Sequence, residues 1–124
     1  MAIVTLYRRE TGTVPVEEYL AELNGKALDK MLNRIDDLVV LGHLLRFPKS
    51  EPLSTRDGLF SLRTEHDKNI YRIIYFWCDG KAVCLHGFVK KDQKIRESDI
   101  DMALKRKADY LARKDGVLYD RNRI

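Results

Sequence analysis

An Asp79-Gly80 dipeptide between two long β-prone runs constrains the fold of this chain more than any other feature. Residues 70–78 are rich in β-branched and aromatic side chains, and residues 81–89 form a second run of the same kind. Aspartate and glycine tolerate the positive φ values that a two-residue type I′ turn requires. The dipeptide therefore predicts a β-hairpin whose register can be counted outward from the turn.

The register of this hairpin predicts which charged side chains share a face of the sheet. Counting with a period of two puts Arg72 and Lys91 on one face, and His86 on the opposite, aromatic face. A second turn at residues 66–69 would lay Arg63 opposite Arg72. We therefore expect Arg63, Arg72 and Lys91 to converge at one end of the sheet as a phosphate-sized positive site.

Length and composition define the broad class of protein. With 124 residues, of which 44% are hydrophobic and 34% charged, the chain predicts one globular domain. We place this domain at residues 1–116 and expect a mobile basic tail at residues 117–124. No apolar run approaches the roughly 20 residues of a membrane span, and the N-terminus lacks the apolar segment of a signal peptide. We therefore expect a cytoplasmic protein with no membrane partner.

The positive charge is concentrated towards the C-terminus. Residues 1–85 carry 12 Lys/Arg and 12 Asp/Glu, whereas residues 86–124 carry 11 and 7, which accounts for the whole net charge of +4. A basic C-terminal third favours a polyanion or an acidic protein as partner. A solvated helix with a frayed tail would give the same count, so charge alone leaves both readings open.

The remaining chain predicts helices and one further strand. Residues 3–8 alternate apolar and polar side chains, Pro15 opens a short helix, and residues 26–41 carry an apolar stripe at helical spacing. Residues 43–58 form the longest irregular stretch. A last helix follows Ser98. Its predicted buried side consists of Ile100, Ala103, Leu104, Ala108 and Leu111.

The order of these elements, β-α-α-β-β-β-α, predicts a small α+β fold. We expect a sheet dominated by antiparallel pairs, with the two N-terminal helices packed on one face. The C-terminal helix completes this arrangement.

The chain resembles the RelE/ParE superfamily of toxins from bacterial toxin–antitoxin pairs, and within it the phage-derived HigB-like branch. The resemblance rests on LFSLR at 59–63, IYRIIYF at 70–76, LHGFVKKDQK at 85–94 and DIDMALKRKADY at 99–110. It implies a RelE-like fold and a metal-independent ribonuclease that enters the ribosomal A site and cuts mRNA, thereby inhibiting translation. It also implies a helix-turn-helix antitoxin as partner, in an assembly built on a toxin homodimer or a toxin–antitoxin heterotetramer.

Metal-free RNA cleavage requires a base for the 2′-OH, cations for the phosphorane-like transition state and an acid for the leaving 5′ oxygen. Arginine suits the second task because it is always charged and binds two phosphate oxygens at once. Arg72, at the position of the family's YR arginine, is our first catalytic candidate, and Arg63 is the second. Lys90 and Lys91 are the candidates for proton transfer, because neighbouring cations lower the pKa of a lysine.

The predicted RNA-binding set adds Lys94, His86 and Arg96 to these catalytic candidates. His86 titrates near neutral pH, although a histidine in the middle of a strand is more often hydrogen-bonded in a core. We find no metal-ligand spacing, glycine-rich phosphate loop or nucleophile motif, and we therefore expect neither a metal nor a cofactor.

The chain also departs from the pattern of the better-known RelE proteins. Leu59 and Ser61 stand where those proteins carry lysines, and Glu97 lies near the position of a tyrosine. A ParE-like inhibitor of DNA gyrase without nuclease activity therefore remains an alternative, because one fold hosts both functions. An inactive binding module is the third possibility, and in that case Arg63 and Arg72 would merely form ion pairs.

Overall fold

The computed structural model describes residues 1–53 and 57–124, so residues 54–56 of the predicted irregular stretch lie outside the described residues. Within the described part, six strands form one sheet. They are β1 (Ile3–Tyr7), β2 (Ser50–Pro52), β3 (Leu59–His66), β4 (Asn69–Cys78), β5 (Lys81–Lys90) and β6 (Gly116–Leu118). The α-helices are α1 (Pro15–Glu22), α2 (Gly25–Leu41) and α3 (Glu97–Arg113).

The sheet has the strand order β2-β3-β4-β5-β1-β6. β1 runs parallel to β5, and every other neighbouring pair is antiparallel. The predicted α+β class and the predominance of antiparallel pairs are therefore confirmed. β2 and β6 were not predicted, because three residues are too few to show an alternating pattern.

Both predicted hairpins are present. In the turn between β4 and β5, Asp79 and Gly80 have φ values of 52° and 76°. In the β3–β4 pair, Arg63 lies opposite Arg72, as counting from the turn predicted. The local preferences of the turn residues are therefore sufficient to start each ladder in the correct register.

A β-bulge interrupts the regular pairing of β4 with β5. Tyr75 pairs with Cys84, but the preceding Ile74 pairs with His86, so Leu85 is an extra residue in β5. The carbonyl of Leu85 accepts a hydrogen bond from the Arg106 guanidinium on α3, at 3.0 Å. This contact gives the Leu85 carbonyl a hydrogen-bond donor at a point where the bulge interrupts the regular pairing of the backbone.

Because of the bulge, the side chains of β5 after Leu85 lie on the faces opposite to those that regular alternation along the strand predicts. Arg72 lies opposite Phe88, and His86 shares the face of Arg72. The prediction that His86 faces away from Arg72 is therefore wrong. Lys90 ends β5 on the face of Arg72, and Lys91 lies beyond the strand, so the predicted placement of Lys91 on that face is also wrong.

The sheet carries helices on both faces. α1 and α2 cover the first face, as predicted, and their apolar side chains pack with a group from the sheet that includes Leu62, Tyr71, Ile73, Tyr75 and Cys84. The opposite face, called the α3 face below, carries a second core of Leu59, Ile74, Phe76, Val83, Leu85 and Phe88. Ala103 and Tyr110 of α3 are buried against that core, whereas the predicted core positions Ala108 and Leu111 are exposed.

Close packing between α1 and β5 depends on Gly87. A Cβ atom at this position would lie 2.2 Å from Cδ2 of the Tyr19 ring. The Tyr19 hydroxyl donates a hydrogen bond to the Phe88 carbonyl at 3.2 Å. The glycine therefore lets the ring lie directly on the strand backbone.

Residues 116–124, called the C-terminal strap below, dock on the rest of the protein. β6 pairs with β1, and the hydroxyl of Tyr119 donates to Asp36 on α2 at 3.1 Å. Arg121 also contacts Asp36, at 2.5 Å, and Arg123 forms an ion pair with Glu17 on α1. These contacts attach residues 117–124, which the sequence predicts to be a mobile tail, to β1 and to both N-terminal helices. None of the described helices is both long and apolar enough to cross a membrane.

Candidate nucleic-acid interface

Arg63 and Arg72 lie side by side on the α3 face of neighbouring strands. The Arg72 side chain is completely buried, and its Nη2 donates to the Gln93 carbonyl at 2.9 Å. Nε and Nη1 of Arg72 have no hydrogen-bond partner among the described residues. Burial and the nearby charge of Arg63 lower the pKa of Arg72. Arg72 is thus a desolvated cation with donors still available to an anion.

Carboxylates face these arginines from three elements of the chain. Glu65 contacts Arg63 at 3.0 Å, and the charges of Glu51, Asp92 and Glu65 act on Arg72 in the direction of a higher pKa. Lys90 contacts Asp92 at 3.2 Å and lowers the pKa of that carboxyl through a hydrogen bond. We call this group the arginine cluster. Its members are Arg63, Arg72, Lys90, Glu51, Glu65 and Asp92, three cations and three carboxylates with no net charge.

A cationic segment at residues 91–96, called the covering segment below, joins β5 to α3 and covers Arg72 through Gln93. Lys91 and Lys94 on this segment are exposed. The side chain of Arg96 is 54% exposed, and its Nε contacts Asp99 at 3.0 Å. Three of the predicted site residues therefore lie on the protein surface, on the segment whose Gln93 carbonyl contacts Arg72.

His86 is held in a hydrogen-bonded network with α3. Its Nε2 lies 2.8 Å from Asp99 Oδ1, and its Nδ1 lies 3.1 Å from Nη1 of Arg106. Because arginine can only donate, Nδ1 accepts, and Nε2 carries the proton that is donated to Asp99. Burial lowers the pKa of His86, which favours this neutral form. Both ring nitrogens are therefore engaged, and neither is available to deprotonate a substrate in this arrangement.

Sequence reasoning missed Asp99 and Arg106, which fix His86. Asp99, Ala103 and Arg106 follow one another at spacings of four and three residues, which is the pattern of one helix face. An apolar stripe does not include this pattern, because two of the three residues are charged. Asp99 is buried at 6% exposure, so its place on the inner face of α3 is clear only from the structure.

The positions that depart from the RelE pattern have structural roles or lie on the surface. Leu59 belongs to the core of the α3 face, and Ser61 is completely buried on β3. Glu97 begins α3 and is exposed. The described residues contain no group of three or more His, Cys, Asp or Glu side chains that could hold a metal ion. The donors gathered on the α3 face are thus guanidinium and ammonium groups, which bind anions.

The fold and the site together define a small α+β protein with a buried arginine beneath a cationic segment. The family model "Phage derived protein Gp49-like" matches residues 18–108, and the chain belongs to that family. The Gp49-like family is part of the RelE/ParE-like toxin superfamily and is assigned to the toxins of toxin–antitoxin systems. A comparison with curated proteins gave no match. The matched region contains both arginines and all of the other predicted site residues.

Proposed function

We propose that this protein is the toxin of a toxin–antitoxin pair, of the HigB-like kind, and that it inhibits translation by cutting ribosome-bound mRNA without a metal. The observation that supports this proposal is Arg72, which is completely buried next to Arg63 and keeps two donors without a partner among the described residues. A buried charge without full hydrogen bonding lowers stability. A role in phosphate binding therefore explains such a residue better than a role in stabilising the fold.

In the proposed reaction, the ribose 2′ oxygen attacks the adjacent phosphorus and the bond to the 5′ oxygen breaks. Arg72 and Arg63 would stabilise the negative charge that develops on the phosphate oxygens. Lys90 and Lys91 are the proton-transfer candidates, whereas His86 is engaged at both nitrogens. Because Gln93 covers Arg72, the covering segment has to move before a phosphate can reach the guanidinium.

The test is translation in vitro with added protein, followed by primer extension on the message. We expect cuts that require ribosomes and leave a 5′-hydroxyl on the downstream fragment. Arg72→Met, which retains a buried apolar side chain, should abolish cutting. Arg123→Met is the matched control, because Arg123 is half exposed on the C-terminal strap. Intact mRNA at inhibitory protein concentrations would reject the nuclease assignment.

A ParE-like inhibitor of DNA gyrase is the second candidate, and one specific observation favours it. The arginine cluster has no net charge, because Glu51, Glu65 and Asp92 balance its three cations. A site balanced in this way attracts a polyanion less strongly than three free cations would. Inhibition of gyrase supercoiling together with intact mRNA would establish this alternative. Absence of both activities would leave a binding module, whose proposed partner is a helix-turn-helix antitoxin.

A further inference from the structure

A basic site lies at the edge of β3, where β2 no longer covers the strand. β2 pairs with β3 only as far as Leu62, and a cleft of about 480 Å³ opens beside the residues that follow. We call this the edge cleft. Its charged lining consists of Lys30 and Arg34 from α2, Lys49 before β2, and Arg63 and Glu65 from β3.

The strand edge inside this cleft is capped by side chains of α2. Nε of Arg34 donates to the Arg63 carbonyl at 2.7 Å, and Nζ of Lys30 donates to the Glu65 carbonyl at 3.2 Å. Cationic side chains along an edge strand prevent unwanted strand pairing. Since a carbonyl carries no net charge, these contacts position the two cations without neutralising them.

The edge cleft keeps a positive charge that the arginine cluster lacks. Among the residues that the structure describes, its four cations meet two carboxylates: Glu65, which contacts Arg63 at 3.0 Å, and the neighbouring Asp37. Asp37 contacts Arg34 at 2.9 Å and Lys49 at 3.6 Å. The local balance is therefore four minus two, or +2. A concave site with this excess raises the local concentration of anions.

We propose that the edge cleft binds phosphate groups of single-stranded RNA, as a continuation of the strand that reaches Arg72. This inference rests on the proposed function and names a second contact region for its substrate. Arg63 belongs to both the edge cleft and the arginine cluster, so one polyanion crossing β3 meets both sites. An extended acidic peptide fits less well, because Arg34 and Lys30 already occupy the carbonyls that an added strand would use.

The experiment measures binding of a short single-stranded RNA with 2′-O-methyl groups, which cannot be cut by 2′-OH attack. Fluorescence anisotropy over a range of salt concentrations gives the affinity and its salt dependence. The test variant is Lys30→Glu/Lys49→Glu. The control is Lys81→Glu/Lys105→Glu, at positions outside the cleft lining. Each pair changes the net charge from +4 to 0, because each Lys→Glu change removes two charges.

We expect the cleft variant to bind at least about tenfold more weakly than the control at low salt, since two or more phosphate contacts are lost. The slope of log affinity against log salt should become shallower by about 0.7 for each of those contacts. Thermal unfolding of both variants checks that each remains folded. Because the RNA resists cutting, this result is independent of the cleavage assay. If RNA binding depends on the cleft but mRNA stays intact in the translation assay, the nuclease proposal is rejected and the edge-cleft proposal stands.

Three outcomes would overturn the edge-cleft proposal. The first is an equal loss of affinity in both variants, which would show a dependence on net charge only. The second is no measurable binding of the RNA by the unmodified protein. The third is unchanged RNA binding by the cleft variant together with loss of binding to a poly-glutamate peptide, which would assign the cleft to an acidic protein.

Discussion

The guanidinium of Arg72 donates a hydrogen bond to the main-chain carbonyl of Gln93 at 2.9 Å, and this contact closes the covering segment over a completely buried charge. The bond satisfies Nη2, while Nε and Nη1 have no partner among the described residues. Burial of an incompletely bonded cation opposes folding. Arg72 is therefore a position where stability and the proposed activity make opposite demands.

Replacement of this arginine provides the first prediction. Arg72→Met should leave the free energy of unfolding unchanged or raise it by up to about 4 kcal/mol, because an apolar side chain of similar length removes the buried charge. Chemical denaturation measures this change. The same variant should lose mRNA cutting in the translation assay. A large loss of stability would instead assign Arg72 a structural role and weaken the proposed function.

Gly87 provides a test of the packing between α1 and β5. Gly87→Ala should lower the free energy of unfolding by about 1–3 kcal/mol, since the new methyl group would overlap the Tyr19 ring. Thermal or urea unfolding measures this loss. The cost should shrink in a Tyr19→Ala background, where the ring is absent. An equal cost in both backgrounds would trace the effect to the backbone of β5 rather than to the ring.

The network around His86 predicts a pH dependence of stability. Burial lowers the folded-state pKa of His86 below 6.5, so the unfolded chain binds more protons than the folded protein between those two pKa values. The free energy of unfolding therefore rises with pH in this window. The contribution of His86 is complete above pH 6.5 and decreases as the pH falls towards the folded-state pKa.

His86→Gln should remove this contribution, because an amide can donate and accept without titrating. The difference in unfolding free energy between the two proteins should change between pH 7 and pH 5 by at most about 1.4 kcal/mol per pH unit. Urea unfolding at several pH values measures it. His43 and His66 are present in both proteins, so their contributions cancel in the difference. A difference independent of pH would show that His86 binds its proton equally in both states.

The C-terminal strap provides a further test. Tyr119→Phe removes the hydrogen bond to Asp36 and should lower the free energy of unfolding by about 0.5–1.5 kcal/mol. Arg123→Gln, which removes a half-exposed ion pair with Glu17, should cost less than about 1 kcal/mol. Hydrogen exchange at residues 116–118 gives a second measurement, and fast exchange in the unmodified protein would contradict a docked strap.

Local sequence signals located much of the candidate site but not its final geometry. The predicted turn at residues 66–69 correctly placed Arg63 opposite Arg72. The Asp79-Gly80 turn correctly started the pairing of β4 with β5, because positive φ values favour aspartate and glycine. Strict alternation then failed at Leu85, where one extra residue reversed the faces of His86 and its successors. The apolar stripe of α3 was misplaced because Asp99 and Arg106 face the sheet.

The sequence by itself determined the class of fold, the two hairpin turns and the pairing of the arginines, since these depend on neighbours along the chain. Only the tertiary structure decided which cations remain free of carboxylates and which face of the sheet His86 occupies. The Leu85 carbonyl, for example, is bound by Arg106, 21 residues away along the chain. Such contacts join elements that are far apart along the chain, so they follow from packing and not from local sequence patterns.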